Sequence, residues 1–274
     1  YAELKEIIGL VFSRDTDEIC LWNWSAELIQ VYCHTMLRQW DVDQVNPPTF
    51  VEYGVSAELA VVEVLRAEEL GSRGAAVRFL CNQNNPTWKL LSREVMLVEL
   101  ERCCAAGMQL FVDEAFMDLS SPDDSITDVC SESLFLMRSL TKSFAMPGIR
   151  FGLGPLDLIQ KIETAQTPCT INAFAEYYAK LAFAHYHELR ASAEKIAAER
   201  DWYYSRLVDL GLSYERSSVN YILIYLNCNA AVVTRSMIDR GVLVRDCTSF
   251  GLPNCIQVSL EMLKRNVLVL EALA

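Results

Sequence analysis

The stretch Ser139-Leu-Thr-Lys142-Ser-Phe-Ala-Met-Pro-Gly-Ile-Arg150 sets one lysine among small hydroxyl residues, eight positions ahead of an arginine. A lysine that condenses with an aldehyde must lose its proton near neutral pH, and burial or a cationic neighbour lowers its pKa to that end. Arg150 suits another task. Its planar fork matches a phosphate, and Ser139 and Thr141 offer hydroxyl donors to the same anion. Alone, such a pair would read as two solvated surface charges. It is not alone. Leu110-Phe-Val-Asp113-Glu-Ala-Phe116 reads as a buried strand ending in two carboxylates, a common place for site acids in open α/β sheets. Val77-Arg-Phe-Leu-Cys-Asn82-Gln-Asn-Asn85-Pro-Thr-Trp88 is a second apolar strand that runs into a polar turn, where Asn85 can donate to a phenolate oxygen. Taken singly, Asn-Asn-Pro is turn chemistry.

The elements that must position these residues follow from periodicity. Helical patterns near Glu3 to Phe12, Ala26 to Arg38 and Arg93 to Ala106 are separated by strand-like runs at Val77 to Cys81, Leu110 to Val112 and Ser133 to Arg138, which predicts a mainly parallel sheet. From about Ala173 to Leu210 the chain is rich in Ala, Glu, Leu and Arg with few breakers, which predicts one long helix bridging two domains. After Gly211, strands at Tyr221 to Leu226, Val242 to Arg245 and Cys255 to Ser259 alternate with helices at Ala231 to Arg240 and Glu261 to Leu273. The expected division is a large domain over 1–170, an interdomain helix over 171–210 and a small α+β domain over 211–274. Ser25-Ala-Glu-Leu-Ile-Gln-Val-Tyr reads as the start of an apolar helix, whose unpaired N–H groups and dipole favour an anion; a plain Ser25 N-cap is the alternative.

With 274 residues, 52% of them apolar, the chain can bury a sizeable core. A net charge of -12 argues against nucleic acid and against an anionic membrane surface. No apolar run approaches a membrane span, and Tyr-Ala-Glu-Leu-Lys-Glu at the start lacks the regions of a signal peptide, so a cytoplasmic location is expected. The ten cysteines are scattered without Cys-x-x-Cys and are expected to be reduced. His185 and His187 lie two apart on a helical pattern and point to different faces, so no metal is expected.

The order Asn85, Asp113, Lys142, Arg150 resembles that of fold-type I pyridoxal 5′-phosphate (PLP) enzymes. Within them the likeness is to the histidinol-phosphate aminotransferase and threonine-phosphate decarboxylase branch, with motifs Asn-Asn-Pro-Thr-Gly, Asp-Glu-Ala-(Tyr or Phe) and Ser-Leu-Thr-Lys. It spans nearly the whole chain. Asn23-Trp-Ser25-Ala-Glu27 resembles the family's phosphate cup, Pro47-Pro-Thr-Phe50-Val-Glu-Tyr53 its ring-stacking segment, and Val244-Arg245-Asp-Cys its substrate-carboxylate segment. The resemblance implies an α/β, aspartate aminotransferase-like fold with a mainly parallel large-domain sheet and a smaller α+β C-terminal domain. It implies Lys142 as the Schiff-base lysine, Asp113 as partner of the pyridine nitrogen and Asn85 as donor to the phenolic oxygen. Phe50 would stack on the ring, while Ser139, Thr141, Arg150 and the N–H groups of Ser25 and Ala26 would hold the phosphate. Thr167-Pro-Cys-Thr-Ile-Asn172 and Val219-Asn220 resemble substrate-pocket segments, although a helix cap and a core strand would explain them equally. A homodimer and a small phosphorylated amino-acid substrate are implied as well.

Phe116 stands where aminotransferases of this branch carry tyrosine, and the decarboxylase also resembles this chain in Arg138-Ser-Leu-Thr-Lys and Met146-Pro-Gly-Ile-Arg. That favours an L-threonine-O-3-phosphate decarboxylase, of the cobalamin aminopropanol-phosphate branch, with histidinol-phosphate aminotransferase as alternative. Several positions depart from the pattern. Trp22 and Trp24 replace glycines of the cup, Trp88 replaces the glycine after Asn-Asn-Pro-Thr, Gln83 replaces a proline and Gln257 a second carboxylate-binding arginine. Glycine serves where φ is positive or a backbone meets a ligand, so three indoles are expected to crowd the cofactor. A noncatalytic relative, or a pocket turned to another flat ligand, are the readings this opens. The resemblance implies a start inside the first large-domain helices, so the arm that crosses the dimer is expected to be absent, and the chain is short between Tyr53 and Asn82, where a strand or loop is expected to be missing.

Overall fold

Strand order decides where a site can form. A computed structural model describes the chain except residues 40, 61, 66–68, 70–73, 147 and 274. Seven strands, β1 (Ile19–Trp22), β2 (Val42–Gln44), β3 (Glu63–Leu65), β4 (Val77–Cys81), β5 (Gln109–Asp113), β6 (Leu134–Ser139) and β7 (Arg150–Leu153), form one sheet in the order β1-β7-β6-β5-β4-β2-β3. Neighbours from β6 through β3 are parallel, and β7 alone runs against its two partners. The start of β7 therefore lies among the C-terminal ends of the other strands.

Side chains alternate between two buried faces, as the period of a strand requires. Leu110, Val112, Leu134 and Leu136 enter a first core with Leu4, Ile8 and Phe12 of α1 (Ala2–Phe12), Met96 and Leu100 of α4 (Arg93–Ala106) and Ala179 and Phe183 of α7 (Ala173–Ala184). Phe79, Phe111, Phe135 and Met137 enter a second core with Leu28 and Ile29 of α2 (Ser25–Met36), Tyr53 and Ala57 of α3 (Glu52–Leu59) and Leu158 and Ile162 of α6 (Leu156–Ala165). Each such side chain contributes roughly 1.5–3 kcal/mol by leaving water. Gly152 is required by this packing: a Cβ there would stand 2.3 Å from the Phe135 ring and 2.8 Å from Cys20 Sγ.

A second, antiparallel sheet orders β10 (Arg245–Asp246), β11 (Cys255–Ser259), β9 (Tyr221–Tyr225) and β8 (Ser213–Tyr214). Ile222, Ile224, Ile256 and Val258 pack on α8 (Leu189–Asp209), α9 (Ala230–Asp239) and α10 (Leu263–Leu273). Its other face presents Tyr221, Leu223 and Cys255 to Trp88 and Phe116 beside the large sheet.

The single helix expected from Ala173 to Leu210 is two helices. α7 ends at Ala184, a 3-10 turn covers Tyr186–Glu188, and α8 begins at Leu189. Helix propensity does not register that the Tyr186 hydroxyl is drawn inward to Arg138 and Asp118. Of the strand expected over Val242 to Arg245 only Arg245 is in β10, which continues to Asp246. Within the span between Tyr53 and Asn82, where a strand or loop is expected to be missing, residues 61, 66–68 and 70–73 lie outside those described, as does Pro147 of the lysine–arginine stretch. Among the described residues no helix is long and apolar enough to cross a membrane.

Candidate active site

Register brings the singled-out residues to one end of the sheet. Cys81 pairs with Asp113, Asp113 with Met137, Ser139 with Arg150, and Arg150 with Trp22. Lys142 follows within α5 (Leu140–Ser143), which Ser139 caps by accepting from the Thr141 N–H. This is the crevice beyond the strand ends where open α/β sheets bind ligands.

Asp113 is 4% exposed. Its Oδ2 accepts from the Tyr53 hydroxyl at 2.7 Å and its Oδ1 from the Ala115 N–H at 2.9 Å. Burial pushes its pKa up, and the Tyr53 bond, the Ala115 bond and the Arg150 charge pull it back. Tyr53 was missed as a functional residue. Its spacing from Phe50 marks it as helix core, and only the tertiary fold places its hydroxyl on the acid.

Lys142 stays open to solvent, yet its ammonium lies 5.1 Å from the centre of the Phe116 ring. Among the described residues it makes no hydrogen bond or ion pair. Desolvation by these surroundings, then the Arg150 charge, lower its pKa, against the attraction of Asp113. Arg150 is brought down to about 10 by burial, opposed by Asp113, and remains charged at neutrality.

The residues expected to hold an anion meet at α2. Arg150 Nε donates to Ser25 Oγ at 2.9 Å, and the N–H groups of Ser25 and Ala26 lie in the first turn, where no intrahelical acceptor exists. Trp24 rather than Ser25 is the N-cap, which corrects the plain-cap alternative. Thr141 spends its hydroxyl on the Met146 carbonyl at 2.9 Å.

The three tryptophans expected to crowd the cofactor take three different places. Trp22, the register partner of Arg150, is wholly buried in the second core, with Leu28 and Ile29 of α2. Trp24 is 53% exposed, its ring 5.8 Å from the Arg150 guanidinium carbon. Trp88 keeps the glycine-like backbone, with φ +48, and its indole packs edge-on against Tyr221 at 4.4 Å.

Phe50 is half-buried, edge-on to Tyr53 at 5.6 Å, and Phe116 is edge-on to Tyr221 at 4.9 Å. On the small sheet Arg245 and Gln257 are directly paired, and Gln257 Nε2 reaches Asn85 Oδ1 at 3.4 Å. Arg245 is exposed and donates to Ser249 Oγ at 2.7 Å. Asn172 spends its side chain capping α7 through the Ala175 N–H at 2.9 Å. Asn220 Oδ1, the Tyr221 hydroxyl and the Trp88 indole nitrogen are buried without partners among the described residues. Tyr221, close enough to Asp113 and Cys81 for their charges to raise its pKa after burial has done so, was also missed.

The sheet order, with a lysine, a buried acid and an arginine at one end, defines the α/β class of fold-type I PLP-dependent enzymes. Residues 45–270 match the family described as aminotransferase class I and II, and the chain belongs to it. Its cofactor is PLP. Histidinol-phosphate aminotransferase of Symbiobacterium thermophilum is 28% identical over 98% of this chain and 79% of that protein. A protein of Caldanaerobacter subterraneus, provisionally named a threonine-phosphate decarboxylase, is 27% identical over 100% of this chain and 80% of its own length. In fold, the crystal structure of L-threonine-O-3-phosphate decarboxylase from Porphyromonas gingivalis superposes with a TM-score of 0.88 at 20% identity, over 99% of this chain and 87% of that one.

The residues present fit the cofactor. The lysine amine is unspent, the α2 N-terminus and Arg150 form an anion cradle, and three buried polar atoms on the small-sheet side await partners.

Proposed function

We propose that this chain is a PLP-dependent enzyme acting on a small phosphorylated amino acid, and that it removes carbon dioxide from an L-threonine-O-3-phosphate-like substrate. The observation that carries the PLP reading is the meeting of Lys142, Asp113 and Arg150 at one end of the sheet. The step to decarboxylation rests on Phe116 in place of a tyrosine.

When bound, PLP withdraws electron density from the substrate's alpha carbon. Every other task falls to the protein. Arg150, Ser25, Ser139 and the first turn of α2 hold the phosphate, and a helix N-terminus suits that anion. Asp113 keeps the ring nitrogen protonated, which its contacts with Tyr53, Ala115 and Arg150 favour by sustaining its charge. Asn85 donates to the ring's phenolic oxygen, and Phe50 stacks on the ring. Lys142 carries the cofactor and moves a proton at the alpha carbon, which its lowered pKa permits. Arg245, beside neutral Gln257, orients the substrate carboxylate. The orientation in which Arg245 would hold that carboxylate would select between loss of carbon dioxide and movement of the alpha proton.

Histidinol-phosphate aminotransferase is the second reading, favoured by the relative from Symbiobacterium thermophilum. A noncatalytic relative is the third, and the unspent donor set weighs against it. Two protomers are expected to pair.

The test is an absorption spectrum of purified protein with added PLP, before and after borohydride, with Lys142→Ala alongside. A visible band that reduction fixes to the protein, and that Lys142→Ala lacks, supports the cofactor role. Carbon dioxide release from O-phospho-L-threonine against 2-oxoglutarate-dependent transamination of histidinol phosphate then separates the two activities. No band would leave the noncatalytic reading.

A further inference from the structure

Behind the turn that carries Lys142 lies a buried polar network that none of the cofactor-facing roles uses. Arg138, 2% exposed on β6, extends its guanidinium between two acids. Nη1 donates to Glu114 Oε2 at 2.7 Å and to Ser125 Oγ at 3.3 Å; Nη2 donates to the Tyr186 hydroxyl oxygen at 2.9 Å and to Asp118. Glu114 also accepts from Ser125 Oγ at 2.6 Å and from the Ile126 N–H at 3.2 Å. Asp118 accepts from the Tyr186 hydroxyl and, through Oδ2, from Ser143 Oγ at 2.6 Å.

Adjacency in sequence gives this network its meaning. Glu114 follows Asp113, Arg138 precedes Ser139, and Ser143 follows Lys142. Alternation along β6 turns Arg138 toward the first core, with Phe12 5.2 Å beneath it, and Ser139 toward the α2 side. So one buried cluster grips the backbone one residue from three groups that face the cofactor. α5 has only four residues. A helix that short does not hold itself, since the first turn fixes several dihedrals for one hydrogen bond. Its direction must come from tertiary contacts, and the Ser143–Asp118 bond is the side-chain contact at its far end.

We propose that Asp118, clamped by Arg138 and Tyr186, is a positioning residue for Lys142: through the Ser143 hydroxyl it fixes the α5 turn, so that the amine stays over Phe116. This rests on Lys142 being the cofactor-bearing lysine. The rival account is that the cluster only stabilises the fold. Buried ion pairs are often replaceable by apolar groups without loss of stability, and under that account the Ser143 hydroxyl is one more donor to a buried carboxylate whose loss leaves Lys142 where it is.

The test uses the full chain with Ser143→Ala, Ser143→Thr and Asp118→Asn. The first readout needs no cofactor: the pH profile of Lys142 acetylation by acetic anhydride, read by peptide mass spectrometry. Freed from its desolvating surroundings and from the Arg150 charge, the amine titrates higher, so Ser143→Ala and Asp118→Asn shift the midpoint up by about 0.5–1 pH unit, while Ser143→Thr keeps it. The second is the rate at which added PLP becomes fixed to Lys142 by borohydride, which falls about tenfold in Ser143→Ala and recovers in Ser143→Thr. Lower thermal stability with both readouts unchanged in Ser143→Ala would overturn the proposal. Should Asp118→Asn not fold, Ser143→Ala decides, because it deletes one hydroxyl. If the unsubstituted protein takes up no PLP, the functional reading fails while the acetylation profile still judges the positioning role.

Discussion

Tyr53 on α3 donates its hydroxyl to Asp113 Oδ2 at 2.7 Å, joining two buried groups 60 residues apart in the chain. The bond favours the charged carboxylate against a burial that disfavours it. A carboxylate at that position is what a protonated ring nitrogen requires, so Tyr53 sets how well Asp113 performs its part.

Tyr53→Phe is therefore expected to raise the Asp113 pKa further and to weaken PLP binding. Losing one bond to a buried charged group costs about 1.5–3 kcal/mol, or roughly a tenfold to hundredfold loss of affinity. The sign with pH follows. Asp113 must be ionised to hold the ring nitrogen, so affinity falls as pH drops, and in Tyr53→Phe that fall begins at higher pH. PLP dissociation constants from pH 5 to 8 measure it, and superimposable curves would remove Tyr53 from the site.

Trp88 opposes two effects whose magnitudes can be compared. Its φ of +48 is a conformation that costs a bulky residue about 1–2 kcal/mol and glycine nothing. Its buried indole packs on Tyr221, and deleting a buried tryptophan costs about 3–5 kcal/mol. Packing wins, so Trp88→Gly should lower stability by roughly 1–4 kcal/mol in urea unfolding despite relieving the backbone. A gain in stability would mean that the strain outweighs the junction.

Asp43, on β2, is fully buried, and neither carboxylate oxygen has a hydrogen-bond partner of good geometry among the described residues. Burial pushes its pKa up to about 8, with only the adjacent Gln44 N–H pulling back. In the unfolded chain the group ionises near 4. A folded pKa above the unfolded one means the folded state binds the extra proton, so stability falls as pH rises from about 4 to about 8, by up to ~1.4 kcal/mol per unit. Asp43→Val should flatten that slope, and thermal unfolding should show a larger gain at pH 8 than at pH 5. Parallel pH profiles for the two proteins would mean Asp43 is not the source.

Much of the architecture was legible because burial leaves a period in the sequence. The apolar runs at Val77 to Cys81 and Leu110 to Val112 became central parallel strands, and their terminal polar residues fell at the sheet's ligand-binding end. Local chemistry also reached Lys142, Arg150, Ser139 and the α2 N-terminus, since each depends on its own neighbours. What it missed is non-local. The short strand β7 that turns Arg150 back among the strand ends has no period long enough to read, and the break at Tyr186 reflects bonds to Arg138 and Asp118 that lie far away in sequence. Glycine replacements implied crowding by Trp22, Trp24 and Trp88, but residue type says nothing of which way an indole turns. The sequence determined the chemical groups and the elements that carry them. Only the tertiary structure decided that Tyr53 meets Asp113, that Trp22 is buried in the second core and that Gln257 meets Asn85, because those contacts join segments that pattern and propensity treat as independent.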